Sequence, residues 1–290
     1  MNPVNNTIKN TLDRAYEALK LVSDTAHLDA QILLSHCMQC TRTYLYTWPE
    51  KKMTESQTTH FQKLLNKRIN GEPVAYLTGV KSFWNMELKV SPATLIPRPE
   101  TELLVEASLA CISAEKSSSI LELGTGSAAI ALALAQERLD CQIKTIEVSK
   151  QAYVIAQANI EKYSHGNVVL LEGHWFSPLV NERFDMIVSN PPYVADDDVH
   201  LKQGDVRFEP QQALISGAEG LDDLKHIIST AQTYLSDDGW LLVEHGYNQA
   251  EAVHDLFLLH EYMNIKQLTD HAGHIRVTAA TAKAHKKLES

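Results

Sequence analysis

The chain has 290 residues, 44% of them hydrophobic, which suits one domain of about 200 residues with a smaller companion. Its net charge is −10, from 26 Lys and Arg against 36 Asp and Glu, which argues against a protein that grips nucleic acid by neutralising phosphates. The longest apolar run extends only from Ala128 to Ala135, too short for a membrane span, and no signal-peptide pattern is evident, so a cytoplasmic location is expected.

Residues 1–72 read as a small helical bundle. Leu12, Ala15, Tyr16, Leu19 and Val22 recur at helical spacing, as do Leu28, Ile32 and Leu33. Cys37 and Cys40 make a C-x-x-C, but no second pair stands at metal-site spacing, since Cys111 and Cys141 are isolated. The pair therefore reads as helix core, and no metal is expected. Thr54 and Gln57 have the spacing of a capping box and open a third helix that runs to Gly71. The basic groups Lys63/Lys67/Arg68 and Lys283/Lys286/Lys287 read as solvated faces.

Residues 73–96 alternate apolar and polar side chains around Lys81-Ser82, and predict a β-hairpin linker. LIPRPETELLVEASLA follows, with prolines fixing an extended entry into an amphipathic helix. From Ser118 strands and helices alternate: SSILELG, QIKTIEV, VVLLEG, FDMIVSN, GWLLVEHG and two last strands near 265–270 and 275–281. Residues 97–290 are thus expected to form an α/β, Rossmann-like domain with a mostly parallel seven-stranded sheet. Ligands of such sheets lie at the carboxyl ends of the strands, where the strand order reverses.

Two stretches fall at those ends. The first strand runs into Gly124-Thr125-Gly126-Ser127-Ala128, whose glycines allow a tight turn and close ligand approach. Glu147 ends the second strand and can accept hydrogen bonds from both hydroxyls of a ribose. This pattern alone leaves two readings open: a dinucleotide with its pyrophosphate at the helix N-terminus, or S-adenosylmethionine with no phosphate there.

The fourth strand ends in Asn190-Pro191-Pro192-Tyr193, and this favours the second reading. A planar amide or aromatic amine is a weak nucleophile. Using it for methyl transfer requires acceptors for both N–H hydrogens and alignment with the methyl group. The Asn190 carbonyl oxygen and the Pro191 carbonyl supply two acceptors, the prolines hold them rigid, and Tyr193 supplies a flat face. A dehydrogenase would need a general acid or base there, and the stretch holds none.

ELGTGS, Glu147, NPPY, IPRPETE ahead of the domain, QGDVRFEPQQAL after NPPY and LLVEHG together resemble the HemK/PrmC release-factor glutamine methyltransferases over nearly the whole chain. The resemblance implies a class I S-adenosylmethionine-dependent methyltransferase that modifies the glutamine amide in the Gly-Gly-Gln motif of peptide chain release factors. S-adenosylhomocysteine would be the product. It further implies that Gly124, Thr125, Gly126, Ser127, Ala128, Glu147 and Trp175 hold the donor. Asn190, Pro191, Pro192 and Tyr193 would hold the glutamine, with Asn190 shared between the two. Arg98 and Glu100 would close over the donor, and residues 1–72 would dock the release factor. The chain departs from the family pattern at Ala128 (commonly Gly), Glu147 (commonly Asp) and His174 (commonly Asp). Two other readings remain: a nucleic-acid adenine methyltransferase using the same cradle on a flipped base, and a module that docks release factors without turnover. Acidity and IPRPETE disfavour the first, and intact NPPY disfavours the second.

Overall fold

Residues 6–113 and 116–284 are described by a computed structural model of the chain. They divide into two compact units, the first comprising the N-terminal residues to Val80 with His200–Phe208, the second comprising the remainder. Among the described residues no helix is long and apolar enough to cross a membrane.

The first unit holds α1 (Ile8–Leu19), α2 (Ala26–Met38), α3 (Arg42–Thr47), α4 (Glu55–Ile69) and α5 (Val74–Thr78) around a core that includes Ile8, Leu19, Leu33, Leu34 and Phe61. The capping box is present: Thr54 Oγ1 accepts from the Gln57 amide, and Gln57 Oε1 accepts from the Thr54 amide. Cys37 lies in this core and Cys40 packs against it, as two small apolar residues. The short α3 is additional to the three helices expected; its six residues are too few to show periodicity.

Arg68 corrects the reading of a solvated basic face. It is buried, bonded to Asp29 at 2.7 Å and Asp205 at 2.8 Å, and it also donates to the Glu72 carbonyl. Removing one partner of such a buried pair typically costs about 3–5 kcal/mol, because the other charge stays buried. Lys286 and Lys287 lie outside the described residues.

The hairpin also differs from expectation. Val74–Thr78 is helical, and β1 (Val80–Phe83) and β2 (Met86–Lys89) turn at Trp84-Asn85 rather than at Lys81-Ser82. Burial decides the register. Phe83, Met86 and Leu88 enter the core, while the Trp84 amide and indole donate to Glu102 and Glu137.

The second unit continues with α6 (Thr101–Cys111), β3 (Ser119–Leu123), α7 (Ala129–Glu137), β4 (Gln142–Glu147), α8 (Lys150–Tyr163), β5 (Val168–Glu172) and β6 (Phe184–Ser189). It closes with α9 (Asp222–Ala231), β7 (Leu235–Glu244), α10 (Ala250–Leu259), β8 (Met263–Thr269) and β9 (Ile275–Thr281). The sheet order is β5-β4-β3-β6-β7-β9-β8, parallel from β5 through β7, with β9 antiparallel to both its neighbours. The apolar run at 128–135 is the first two turns of α7, every residue of which is buried to Ala135. Strand order reverses between β3 and β6, so the glycine turn and Asn190 flank the crevice that such a reversal opens.

Candidate active site

The turn after β3 is clamped to the end of β4. The Gly124 and Thr125 amides both donate to the Ile146 carbonyl at 3.1 Å, and the Gly126 amide donates to Glu147 Oε2 at 2.8 Å. Glu147 Oε1 accepts from the Ser149 amide, also at 2.8 Å. Both carboxylate oxygens thus already hold the turn, and each keeps a lone pair for a ligand hydroxyl. Burial raises the Glu147 pKa, and the Ser149 and Gly126 N–H groups pull it the other way.

Glycine is required at position 124. Its φ is +75°, and a Cβ there would meet the Trp175 ring at 3.4 Å. Ala128 sits in the left-handed region at φ +66°, a conformation glycine adopts without strain. It is fully buried, and it does not line the cavity.

A cavity of about 430 Å³ opens over this turn. Gly124, Thr125, Gly126, Ser127, Glu147 and Trp175 line one side, and Asn190 and Pro192 reach it from β6. The Asn190 Nδ2 donates to Thr101 Oγ1 at 3.1 Å, and its Oδ1 has no hydrogen-bond partner among the described residues. Nor does the Pro191 carbonyl accept a backbone hydrogen bond there. Tyr193 is placed differently from Asn190. Its ring packs on the apolar cluster beneath, its hydroxyl donates to Glu244 at 3.2 Å, and it is absent from the cavity lining. Arg98 pairs with the buried Glu209, and Glu100 precedes α6 on the surface, so neither lines the cavity.

The lining carries Glu122, Glu147 and Asp223, and no Lys or Arg among the described residues. A pyrophosphate finds no cation here, and Glu147 already takes the Gly126 N–H that would hold it. A sulfonium or ammonium group, by contrast, meets acidic side chains and no cation. The Trp175 Nε1 is buried with no hydrogen-bond partner among the described residues. S-adenosylmethionine fits these residues and a dinucleotide does not.

Three contributors carry weak sequence signals. Glu122 is an acid inside the buried strand SILEL, held by the Thr145 hydroxyl and the Ala131 amide. Burial pushes its pKa up to about 8. Asn159, fully buried on α8, donates to the Ser127 carbonyl and exchanges two bonds with the Lys89 backbone, so it ties the glycine turn to β2. Thr101 belongs to the quoted IPRPETE stretch, yet only the fold brings it to Asn190. A polar residue in an otherwise apolar segment is the one local hint for the first two.

Residues 10–79 match the PrmC N-terminal domain model, and residues 100–219 match the methyltransferase small domain model. Release factor glutamine methyltransferase of Aliivibrio fischeri is 44% identical over 274 residues, 94% of this chain and 96% of that protein. The protein of that name from Escherichia coli K12 is 46% identical over 88% of this chain and 92% of its own length. Among solved structures, a methyltransferase from Pyrococcus furiosus covers 77% of this chain and all of its own, at 17% identity and a TM-score of 0.53. The hMettl16 catalytic domain covers 80% of this chain and 84% of its own, at 13% identity and a TM-score of 0.54. These two likenesses establish the fold.

Proposed function

This chain belongs to the release factor glutamine methyltransferase family, and from that premise we propose its reaction. It methylates the side-chain amide nitrogen of the glutamine in the Gly-Gly-Gln motif of peptide chain release factors. The donor is S-adenosylmethionine and the co-product S-adenosylhomocysteine. The observation that carries this reading is a single cavity that joins the glycine turn and Glu147 to Asn190 and Pro192 across the strand reversal.

S-adenosylmethionine, when bound, supplies a methyl group already activated on a sulfonium. The protein's part is to hold a poor nucleophile in line with it. Glu147 would accept from the ribose hydroxyls while shaping the turn, and Trp175 would flank the adenine. Asn190 Oδ1 and the Pro191 carbonyl accept the two amide hydrogens of the glutamine and turn its nitrogen to the methyl. The N–C bond forms as the S–C bond breaks. The amide proton leaves after transfer, when the nitrogen has become acidic, so no strong base is needed. Tyr193 acts beneath the cradle, holding it through Glu244 rather than lying against the amide. The helical unit docks the release factor. Leu21, Tyr46 and Trp48 are exposed on that unit.

The test is transfer from methyl-labelled S-adenosylmethionine to a release factor, beside a Gly-Gly-Gln to Gly-Gly-Ala factor and adenine-containing DNA. Label on the intact factor alone is expected. Label on the Gly-Gly-Ala factor or on DNA overturns the glutamine assignment.

A further inference from the structure

The cavity wall around Asn190 is built from the segments 93–101, 190–194 and 209–216. Thr94 and Pro97 line the cavity from the first, Asn190 and Pro192 from the second, and Gln212 and Ile215 from the third. The first leads into α6, where Thr101 Oγ1 accepts from Asn190 Nδ2 at 3.1 Å. The second leaves β6 and bonds to the third: the Tyr193 and Val194 amides donate to the Leu214 carbonyl at 3.1 and 2.8 Å, and the Ser216 amide donates to the Val194 carbonyl at 2.9 Å.

Glu209 joins the third segment back to the first. Its side chain is fully buried; Oε2 accepts from the Ile96 amide at 3.2 Å, and Oε1 pairs with the Arg98 guanidinium. A carboxylate can take a donor on each oxygen, and a buried one is held by the partners that it keeps. With this link the bonds close a ring, from Asn190 to Thr101, from Arg98 and Ile96 to Glu209, and from Leu214 back to Tyr193 and Val194. We propose that Glu209 is a positioning residue for the substrate glutamine: by closing this ring it fixes Asn190 and Pro191, the two acceptors, between the walls on either side. Arg98, which the family resemblance placed over the donor, acts from outside the cavity through this carboxylate.

The donor side of the cavity is held by other bonds. The Gly124 and Thr125 amides are fixed by the Ile146 carbonyl, and the Gly126 amide by Glu147, so none of these passes through the ring. Replacing Glu209 by Gln keeps the shape but leaves one oxygen and one NH2 to face two donors, Ile96 N–H and Arg98. One of the two bonds is lost, and segment 209–216 is freed from segment 93–101. The methyl acceptor is then misplaced while the donor turn is not.

This inference rests on the glutamine-methyltransferase reading, and a measurement without substrate separates the two. Glu209→Gln is expected to lower kcat on the release factor about 10- to 100-fold, the scale of a misplaced reacting group, while the Kd for S-adenosylhomocysteine stays within about twofold. Arg98→Gln, at a partly exposed position, lowers kcat in the same direction, and the double variant falls no lower than Glu209→Gln alone, as for groups that share one interaction. In the unliganded protein, hydrogen exchange at the Tyr193 and Val194 amides should quicken about tenfold or more in Glu209→Gln, while Gly124 and Thr125 keep their rates. Wild-type kcat in both variants, or a Kd that rises in step with the loss of kcat, overturns the positioning role. So does exchange at Tyr193 and Val194 that is unchanged, or that quickens equally at Gly124. A wild-type protein that labels no release factor, yet whose exchange responds selectively as described, overturns the reaction and leaves the Glu209 ring standing.

Discussion

Replacing Glu147 by Gln keeps the side-chain volume but breaks a two-sided arrangement. The carboxylate accepts from the Gly126 amide with one oxygen and from the Ser149 amide with the other, both at 2.8 Å. Glutamine offers one oxygen and one NH2, so one of these backbone donors must face another donor. A hydrogen bond to a charged group contributes about 1.5–3 kcal/mol. Losing one loosens the turn over which the donor lies and removes an acceptor from the ribose. At 1.4 kcal/mol per tenfold, the donor Kd should rise about 10- to 150-fold. Asn190 and its neighbours stay in place, so kcat at saturating donor should change less than about threefold, as for a group that binds ground state and transition state alike. Calorimetric titration with S-adenosylhomocysteine reads the first quantity and steady-state kinetics the second. A Kd within twofold of wild type, or a collapse of kcat at unchanged Kd, refutes the assignment of Glu147 to the donor.

Other outcomes follow from the same geometry. Asn190→Ala removes the side-chain acceptor and should lower turnover at least ~100-fold, the scale of a lost transition-state contact; near-wild-type turnover would remove the cradle from the mechanism. Ala128→Gly trades a left-handed strain of about 1–2 kcal/mol against the entropy of glycine and a lost buried methyl, together of similar size. Thermal unfolding should therefore move by less than about 1 kcal/mol, and because Ala128 does not line the cavity, the donor Kd should stay within twofold. A tenfold gain in donor affinity would mean that the alanine does crowd the donor. For Glu122, an ordinary glutamate value of 4.5 is raised to about 8 in the folded protein. The folded state then holds the extra proton between these values, so its contribution to stability is full below 4.5 and is lost as the pH rises through about 8. Melting temperature should fall over that window in the wild type and fall less in Glu122→Gln; parallel curves would contradict the shift.

The sheet was legible because buried parallel strands are continuous apolar runs and the helices between them are long enough to show their period; the place of its reversal was not. The glycine turn and NPPY were legible for a related reason. Glycine and proline announce backbone constraints that hold wherever the chain goes, as Gly124 beside Trp175 illustrates. Residues that act through distant partners left little trace. Arg68 looked like one of a surface trio, and only Asp29 and Asp205, 39 and 137 residues away, make it a buried ion. Tyr193 looked like a platform because its neighbours face a ligand, but β7 places a carboxylate under its hydroxyl. The hairpin turn was misplaced by two polar residues, where the burial of Phe83 and Met86 sets the register. Thr101 stood in a stretch whose resemblance was noted, yet its link to Asn190 depends on a strand end and a helix start meeting in space.

The atom that receives the methyl group distinguishes a glutamine methyltransferase from every alternative. Tandem mass spectrometry of a release factor after reaction with this protein and S-adenosylmethionine should find one added methyl, carried on the glutamine side chain of Gly-Gly-Gln, and none when Asn190→Ala replaces the wild type over the same time. A methyl group on any other residue, or an equal yield from the variant, would contradict it.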